Sequence, residues 1–311
     1  MKGQKNQNKG YFTELGQDII KYKYIYIMLI PVLLYYIIFH YIPMGGAVIA
    51  FQDFKPAKGF LNSDWVGFKH FIDFLTGIYA PRVIINTILL NLLNLIFGFP
   101  APIILALMLN EVSNKSFKKI TQTISYMPHF ISMVVVCGMV ITFVKSDGII
   151  TQFLTLFGME EVNLLSKKEY FRTIFVSTSI WKALGWGSII YLATLSGVDP
   201  NLYEAATIDG AGRFKKIIHV TLPALIPVIT IQLILRMGRM LTQGFEQVML
   251  LYNPLIYDTA DIISTYVYRR GLEDMDYSFA SAVGIFNSVI NLILLFSANW
   301  FSRKFVKESL W

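Results

Sequence analysis

Charged residues and cysteines are both scarce in this chain of 311 residues. Asp, Glu, Lys and Arg make up 15% of the sequence, whereas 55% of the residues are hydrophobic and the mean hydropathy is +0.53. A soluble domain of this length seldom has such a composition, and repeated apolar runs of about 20 residues are typical of transmembrane helices. The single cysteine, Cys137, excludes a disulfide framework and a cysteine-based metal site within the chain.

Sequence motifs for catalysis and nucleotide binding are also missing. No glycine-rich loop ends in Gly-Lys-Ser/Thr, and neither a His-Glu-x-x-His pattern nor a Gly-x-Ser-x-Gly elbow occurs. The four histidines are scattered along the sequence. We therefore expect no catalytic residue, no metal and no cofactor on this chain.

Six apolar segments are long enough to cross a ~30 Å hydrocarbon core as helices. They cover residues 24–42, 83–109, 123–144, 173–198, 222–244 and 277–301. The first is too long for the core of a signal peptide, and no small-residue cleavage site follows it, so we expect it to be retained. The prediction is an all-α polytopic membrane protein with one transmembrane domain over residues 1–311.

The distribution of basic residues predicts the orientation of these spans. The tail 1–23 holds five lysines, and three short stretches hold three basic residues each: 110–122, 199–219 and 302–311. The connections on the other side are longer, and the last of them is acidic. The positive-inside rule then places both termini in the cytoplasm. It also explains the net charge of +7 without a nucleic-acid partner.

A short polar segment, residues 199–219, separates the fourth and fifth apolar runs. Asp199 and Pro200 are favourable at the start of a helix, and Gly210 supplies the backbone geometry of a tight turn. The segment is thus predicted to form a charged helix–turn–helix along the cytoplasmic membrane surface. Composition alone allows either an ordinary interfacial helix or a docking element.

The order of residues in this segment is more specific than its composition. Glu204-Ala205-Ala206 is followed after three residues by Gly210, and after nine more by Val220-Thr221-Leu222-Pro223. This pattern resembles the EAA signature of binding-protein-dependent ABC importer permeases and departs from it only at Val220, where the family has Ile. The resemblance implies a type I importer architecture in which this loop is a coupling helix docked on an ATPase subunit. It implies coupling roles for Glu204, Ala205, Ala206, Asp209, Gly210, Arg213, Leu222 and Pro223.

Three stretches in the N-terminal third carry a second resemblance. Residues 41–45 read Tyr-Ile-Pro-Met-Gly, 50–54 read Ala-Phe-Gln-Asp-Phe, and 65–71 read Trp-Val-Gly-Phe-Lys-His-Phe. They are similar to the polysaccharide and oligosaccharide (LplB-type) branch of carbohydrate permeases, including permeases for pectin-derived oligosaccharides such as rhamnogalacturonan fragments. The resemblance implies a bacterial cytoplasmic membrane location and an oligosaccharide substrate. The implied partners are a second permease, usually a different chain, an ATPase dimer that binds ATP and Mg, and an extracellular solute-binding protein.

Polar side chains inside the predicted spans mark a candidate substrate path, because such residues are costly in lipid. One set steps by four and three residues, which places it on one face of a continuous helix. The candidates are Gln232, Arg236, Arg239, Gln243 and Glu246 on the fifth span, Lys182, Trp181 and Trp186 on the fourth, Asn91 on the second and Asn287 on the sixth. Guanidinium groups, amides and aromatic faces suit sugars, and basic groups favour a uronate carboxylate.

Two alternatives remain open at this point. Asparagine stripes often only join helices, and Arg239 is able to pair with Glu246 or extend towards the membrane surface. An ion- or proton-coupled secondary transporter of a small polar solute is the alternative function. Such a transporter needs acidic residues within the membrane, and only Glu246, at the end of a predicted span, qualifies.

Overall fold

Almost all regular structure in the chain is helical. A computed structural model describes residues 20–307 and 309–310, so most of the predicted cytoplasmic tail 1–23 lies outside the described residues. The strands β1 (Gln52–Asp53) and β2 (Asp64–Trp65) pair antiparallel, with Gln52 opposite Trp65 and Asp53 opposite Asp64. The predicted all-α class is confirmed.

The first half of the fold contains nine α-helices within the described residues. They are α1 (Lys23–Tyr36), α2 (Ile42–Met44), α3 (Gly59–Asn62), α4 (Lys69–Thr76), α5 (Ala80–Leu93), α6 (Pro100–Glu111), α7 (Lys115–Phe130), α8 (Met133–Val144) and α9 (Ile149–Thr155). Wider π-helical turns at Ile37–Tyr41 and Asn94–Gly98 continue α1 and α5, and a tighter 3₁₀ stretch covers Gly45–Phe51.

The second half begins with the long helix α10. Its helices are α10 (Lys168–Ser196), α11 (Pro200–Ile208), α12 (Arg213–Lys216), α13 (Leu222–Met237), α14 (Phe245–Leu251), α15 (Tyr257–Ala260), α16 (Ile263–Tyr268) and α17 (Tyr277–Phe305). Short 3₁₀ turns lie at Leu164–Ser166 and Pro254–Ile256, and π-helical turns lie at Ile217–Thr221 and Arg269–Glu273.

Five helical stretches in the described residues are long and apolar enough to cross a membrane. They are Lys23–Phe51, Ala80–Glu111, Met133–Thr155, Arg213–Met237 and Tyr277–Phe305. The fourth predicted segment, 173–198, falls on α10, whose 29 residues reach about 43 Å. α10 is long enough to cross but not apolar enough to count among the five. A multi-pass membrane protein is confirmed, whereas the count of six spans is not.

The third predicted segment, 123–144, is not one helix. α7 ends at Phe130, the backbone is extended at Ile131 and Ser132, and the Ser132 hydroxyl accepts a hydrogen bond from the Val135 amide at the start of α8. A serine in this conformation is a favourable N-cap, so a new helix begins here. The apolar run therefore continues into Met133–Thr155 and does not extend back into α7.

The buried core is organised around α10. Phe171 and Phe175 near its start pack with Val248 of α14, whereas Tyr191 near its end packs with Leu225 of α13. A third cluster joins α4, α5, α16 and α17 through Phe74, Val83, Ile263, Phe279 and Val283. By contrast, α1 buries none of its residues. The protein body is thus held together by the elements from the 3₁₀ stretch Gly45–Phe51 to α17.

Candidate translocation cavity and coupling segment

A cavity of about 690 Å³ lies between α10, α13 and the segment that joins α5 to α6. Its lining residues are Gly98, Phe99, Pro102, Ala183, Trp186, Gly187, Ile189, Ile190, Tyr191, Gln232, Leu235, Arg236, Arg239 and Gln243. Five of the predicted path residues therefore share one cavity, namely Trp186, Gln232, Arg236, Arg239 and Gln243.

The helical geometry predicted for these residues is wrong. α13 ends at Met237, turns cover residues 238–244, and Gly244 has a φ of +89° just before α14 begins. Glycine adopts this backbone conformation without the steric cost that a side chain incurs. The continuous face from Gln232 to Glu246 is broken, and Glu246 lies exposed on α14, outside the cavity lining.

Arg236 brings a positive charge to the cavity wall. One guanidinium nitrogen, Nη2, donates a hydrogen bond to the Asn94 carbonyl at 2.8 Å, and the guanidinium carbon lies 5.8 Å from the centre of the Phe99 ring. Arg239 lines the same cavity. Among the described residues no carboxylate lines it. The cavity therefore has the charge to attract anionic groups.

Lys182 points away from the cavity and into the break between α7 and α8. Its ammonium group donates to the carbonyl oxygens of Pro128, His129 and Ile131. A cation is favourable at the carboxyl end of a helix, where carbonyl groups lack partners. This contact gives Lys182 a structural position outside the cavity lining, contrary to the shared cavity that the sequence suggested.

The two tryptophans of α10 differ in their surroundings. Trp186 stacks on His129 with 4.5 Å between ring centres and 2° between ring planes, and it also lines the cavity. Trp181 does not line the cavity and is 43% exposed. Of these two tryptophans, Trp186 is therefore the one whose ring both stacks on another side chain and lines the cavity.

The two asparagine candidates lie apart from each other. Asn91 is buried and donates from Nδ2 to the Thr87 carbonyl at 2.9 Å, next to a small gap that it shares with Arg236 and Gln243. Asn287 lies in a separate groove along α17. Asn91 and Asn287 therefore belong to different compartments, which their positions in the sequence do not indicate.

The polar segment 199–219 folds as predicted, into two short helices joined by a glycine turn. The Asp199 side chain accepts a hydrogen bond from the Asn201 amide at 2.9 Å and caps α11. Gly210 ends the first helix with a φ of +73°. α12 then continues through a π-helical turn into α13 without a break, because Arg213–Met237 is one helical stretch.

Two hydrogen bonds attach α11 to the start of that long stretch. Lys216 Nζ donates to Thr207 Oγ1 at 2.7 Å, and the hydroxyls of Tyr203 and Thr221 lie 3.2 Å apart. Much of the remaining surface of this segment is exposed. Its exposed residues are Glu204, Ala205, Asp209, Gly210, Arg213, Leu222 and Pro223 of the predicted coupling set, together with Leu202, Ile208 and Phe214, while Ala206 is half-buried. This mixture of charged and apolar side chains is suited to a protein partner.

Two buried polar side chains that the sequence analysis does not single out connect separate elements of the fold. Gln247 of α14 donates from Nε2 to the Phe175 carbonyl at 2.8 Å, and its Oε1 accepts from Ser179 at 2.7 Å. The second group is Asp261, which is fully buried and forms ion pairs with two arginines. From the sequence, Asp261 is only one of several acidic residues in the connection before the last apolar segment.

The ion pairs of Asp261 join distant segments. Its Oδ2 lies 3.2 Å from Arg82 Nη2 and 2.7 Å from Arg269 Nη2, and its Oδ1 accepts from Thr265 at 2.9 Å. Burial lowers the pKa of Arg269, but the hydrogen bonds to Asp261 and Tyr252 outweigh this and raise it above its ordinary value. Arg269 therefore stays charged opposite Asp261.

Comparison with protein families and curated sequences gives consistent relatives. A family model described as binding-protein-dependent transport system inner membrane component matches residues 98–307. The chain is 47% identical over 289 residues to Protein LplB of Bacillus subtilis (strain 168), covering 93% of this chain and 91% of the relative. It is 45% identical over 294 residues to the polygalacturonan/rhamnogalacturonan transport system permease protein YteP of the same organism, covering 94% and 92%.

Solved structures contain chains with the same fold. One belongs to a bacterial ABC transporter involved in the import of the acidic polysaccharide alginate. Its TM-score is 0.87 at 44% identity, and the match covers 94% of this chain and 99% of that chain. Another is the bacterial alginate ABC transporter in complex with an alginate pentasaccharide-bound periplasmic protein, with a TM-score of 0.87 at 43% identity.

Proposed function

We propose that this chain, which belongs to the binding-protein-dependent transport system inner membrane components, is a permease subunit of an ATP-driven oligosaccharide importer. One relative is named as a polygalacturonan/rhamnogalacturonan transport system permease, and both solved structures are of an alginate ABC transporter. The resemblance to carbohydrate permeases noted in the sequence is thereby confirmed. The chain itself carries no catalytic step in this proposal.

The observation that carries the mechanism is one continuous helix, which begins within the polar segment 199–219, here called the coupling segment, and reaches the cavity. Arg213–Met237 begins at the exposed segment and ends at the cavity, where Gln232 and Arg236 line the wall. Because α11 is hydrogen-bonded to the first turns of this stretch, displacement of α11 displaces the helix. Closure of an ATPase subunit against α11 then alters access to the cavity. The proposed mechanism is alternating access in which the ATPase moves the N-terminal end of this helix.

The partners follow from this arrangement. An ATPase dimer, which binds ATP and Mg, docks on the exposed face around Glu204 and Gly210. A second permease, usually a different chain in sugar importers, completes the translocation path, and a solute-binding protein delivers the oligosaccharide from the other side. Both termini then lie on the cytoplasmic side of a bacterial cytoplasmic membrane, in keeping with the basic residues within α12 and in the last turn of α17.

The chemistry of the cavity supports an acidic sugar as cargo. Two arginines without a lining carboxylate provide charge-assisted hydrogen bonds for a uronate. Trp186, stacked on His129, offers a rigid aromatic face for the apolar side of a sugar ring. A pectin-derived oligosaccharide combines both properties. In this proposal the residues that contact the substrate are Trp186, Gln232, Arg236, Arg239 and Gln243.

Uptake by proteoliposomes containing the complete transporter tests the proposed function. Glu204→Lys reverses a charge on the docking face and is expected to lower ATP-dependent uptake and substrate-stimulated ATPase activity at least tenfold, since removing a paired interface charge costs about 2 kcal/mol or more. Glu160→Lys, the same reversal at an exposed residue on the opposite side, is the matched control and is expected to have no effect. Uptake that persists without ATP would instead support a secondary transporter.

A further inference from the structure

A second compartment runs along the outer half of α17, the end that faces away from the cytoplasm in the proposed orientation. It is a groove of about 480 Å³ between α16, the turn that follows it, and α17. Its lining residues are Ile49, Phe245, Ser264, Val267, Tyr268, Gly271, Leu272, Tyr277, Ala280, Ser281 and Asn287. None of these side chains is charged, in contrast to the basic cavity.

Two buried polar atoms of this groove lack hydrogen-bond partners within the described residues. They are Asn287 Oδ1 and Ser264 Oγ, and Asn287 as a whole is only 6% exposed. Other buried asparagines of α17 are satisfied, because Asn291 Oδ1 accepts from the Leu241 amide and Asn299 Oδ1 accepts from the Leu310 amide. Four other buried atoms without a partner in the described part of the chain, Gln52 Oε1 and the Nε atoms of Arg82, Arg172 and Arg270, belong to residues that do not line this groove. Because buried polar groups normally have partners, Asn287 and Ser264 are the groove residues with unused hydrogen-bonding capacity.

Aromatic rings supply the rest of the surface. The rings of Phe245 and Tyr268 lie 5.7 Å apart, and Tyr277 stands at the outer end of the groove. The groove is kept narrow where Gly271 faces Ala280, since a Cβ on Gly271 would lie 2.5 Å from the Ala280 Cβ. Aromatic faces with an amide and hydroxyls suit an uncharged sugar ring, whereas a carboxylate would find no counter-charge here. A lipid chain would leave Asn287 unsatisfied.

We infer that this groove is a second subsite, which binds uncharged sugar residues of the oligosaccharide while the basic cavity binds uronate residues. The inference rests on the proposed function. The two compartments adjoin along the chain, because Gln243 lines the cavity, Phe245 lines the groove, and Gly244 lies between them. In this proposal a chain of mixed acidic and neutral sugars engages both compartments.

Uptake by the reconstituted transporter with two substrates tests this subsite. The substrates are an oligogalacturonide, in which every residue is a uronate, and a rhamnogalacturonan fragment, which also contains uncharged deoxy sugars. Asn287→Leu removes one hydrogen-bonding group and is expected to raise KM for the mixed fragment about 3- to 10-fold, leaving KM for the oligogalacturonide unchanged. Ser264→Ala is expected to act in the same direction.

Thermal unfolding separates binding from folding. Because Asn287 Oδ1 has no partner, Asn287→Leu is expected to leave the unfolding midpoint unchanged or raise it. Asn291→Leu, one turn along the same helix, leaves the Leu241 amide without its acceptor and is expected to lower the unfolding midpoint.

An unchanged KM for both substrates in Asn287→Leu overturns the subsite, and so does an equal rise for both. Loss of the second permease on purification assigns the groove to a subunit interface instead. Failure of the unmodified transporter to import either substrate refutes the proposed function.

Discussion

Arg236 combines two roles at the scale of the single residue. Its hydrogen bond to the Asn94 carbonyl ties α13 to the π-helical turn after α5, and its position in the cavity wall presents a charge to the interior. Gly98 lies beside this pair, where a Cβ would collide with Asn94 Oδ1 but would lie at an ordinary contact distance of 3.4 Å from Arg236 Nη2. The same guanidinium thus connects α13 to the turn after α5 and, with Arg239, gives the cavity wall its positive charge.

Substitution of Arg236 separates these roles. Arg236→Met is expected to lower the uptake efficiency for an oligogalacturonide about 10-fold or more, since a hydrogen bond to a charged group contributes about 1.5–3 kcal/mol. Arg236→Lys keeps the charge and is expected to retain more activity. Uptake by proteoliposomes of equal protein content provides the measurement. Equal losses in the two variants would mean that packing, and not charge, is the contribution of Arg236.

At the scale of the element, α7 is fastened to α10 by three neighbouring contacts. Lys182 binds the carbonyl groups at the end of α7, Trp186 stacks on His129, and Gly185 lies directly against the backbone of Ser125 and Tyr126. A glycine permits such close approach because it has no side chain. These contacts keep the break between α7 and α8 in place beside the cavity.

A methyl group at Gly185 tests this packing. A Cβ there would collide with the Ser125 carbonyl, so Gly185→Ala is expected to lower the free energy of unfolding by about 1–3 kcal/mol. Gly138→Ala is the matched control, because a Cβ on Gly138 of α8 meets nothing within 4 Å. It is expected to stabilise the helix by about 0.5–1 kcal/mol. Thermal unfolding in detergent compares the two, and similar midpoints would contradict the close packing.

The positions of the long helices are easier to predict from the sequence than the residues at which they end. The apolar runs identified most of the long helices, since burial in lipid requires apolar side chains over a whole span. The breaks at Ser132 and at residues 238–244 were missed, although a serine N-cap and two glycines carry a local signal. Hydropathy averages over such positions. As a result, Glu246 was assigned to a helical face that it does not share.

At the scale of the whole molecule, the Asp261 cluster joins segments that are far apart in the sequence. Arg82 of α5 lies 179 positions from its partner Asp261. Asn86 donates to the Asp258 and Asp261 carbonyls and accepts from Arg172 of α10. This arrangement was not predictable, because no sequence spacing connects its members. The coupling segment was recognisable because its residues are contiguous.

Removal of the central charge is expected to loosen this side of the protein. Asp261→Asn leaves the partly buried Arg269 without its carboxylate and leaves Arg82 with only the 3.9 Å pair to the exposed Asp258, so it is expected to lower the free energy of unfolding by about 3 kcal/mol or more. Asp147→Asn breaks an exposed pair with Lys145 and is expected to change it by less than about 1 kcal/mol. Chemical denaturation in detergent measures both, and equal values would show that the cluster contributes little.

The uninterrupted stretch Arg213–Met237 has a mechanical consequence. Its 25 residues span about 37 Å, and α11 is hydrogen-bonded near its N-terminal end, so the helix is able to act as a lever. Pivoting about its cytoplasmic end by about 10° would sweep the Arg236 end through about 6 Å. That distance is comparable with the width of a sugar ring. In the proposed mechanism, a small rotation at the cytoplasmic end of the helix is therefore sufficient to change access to the cavity.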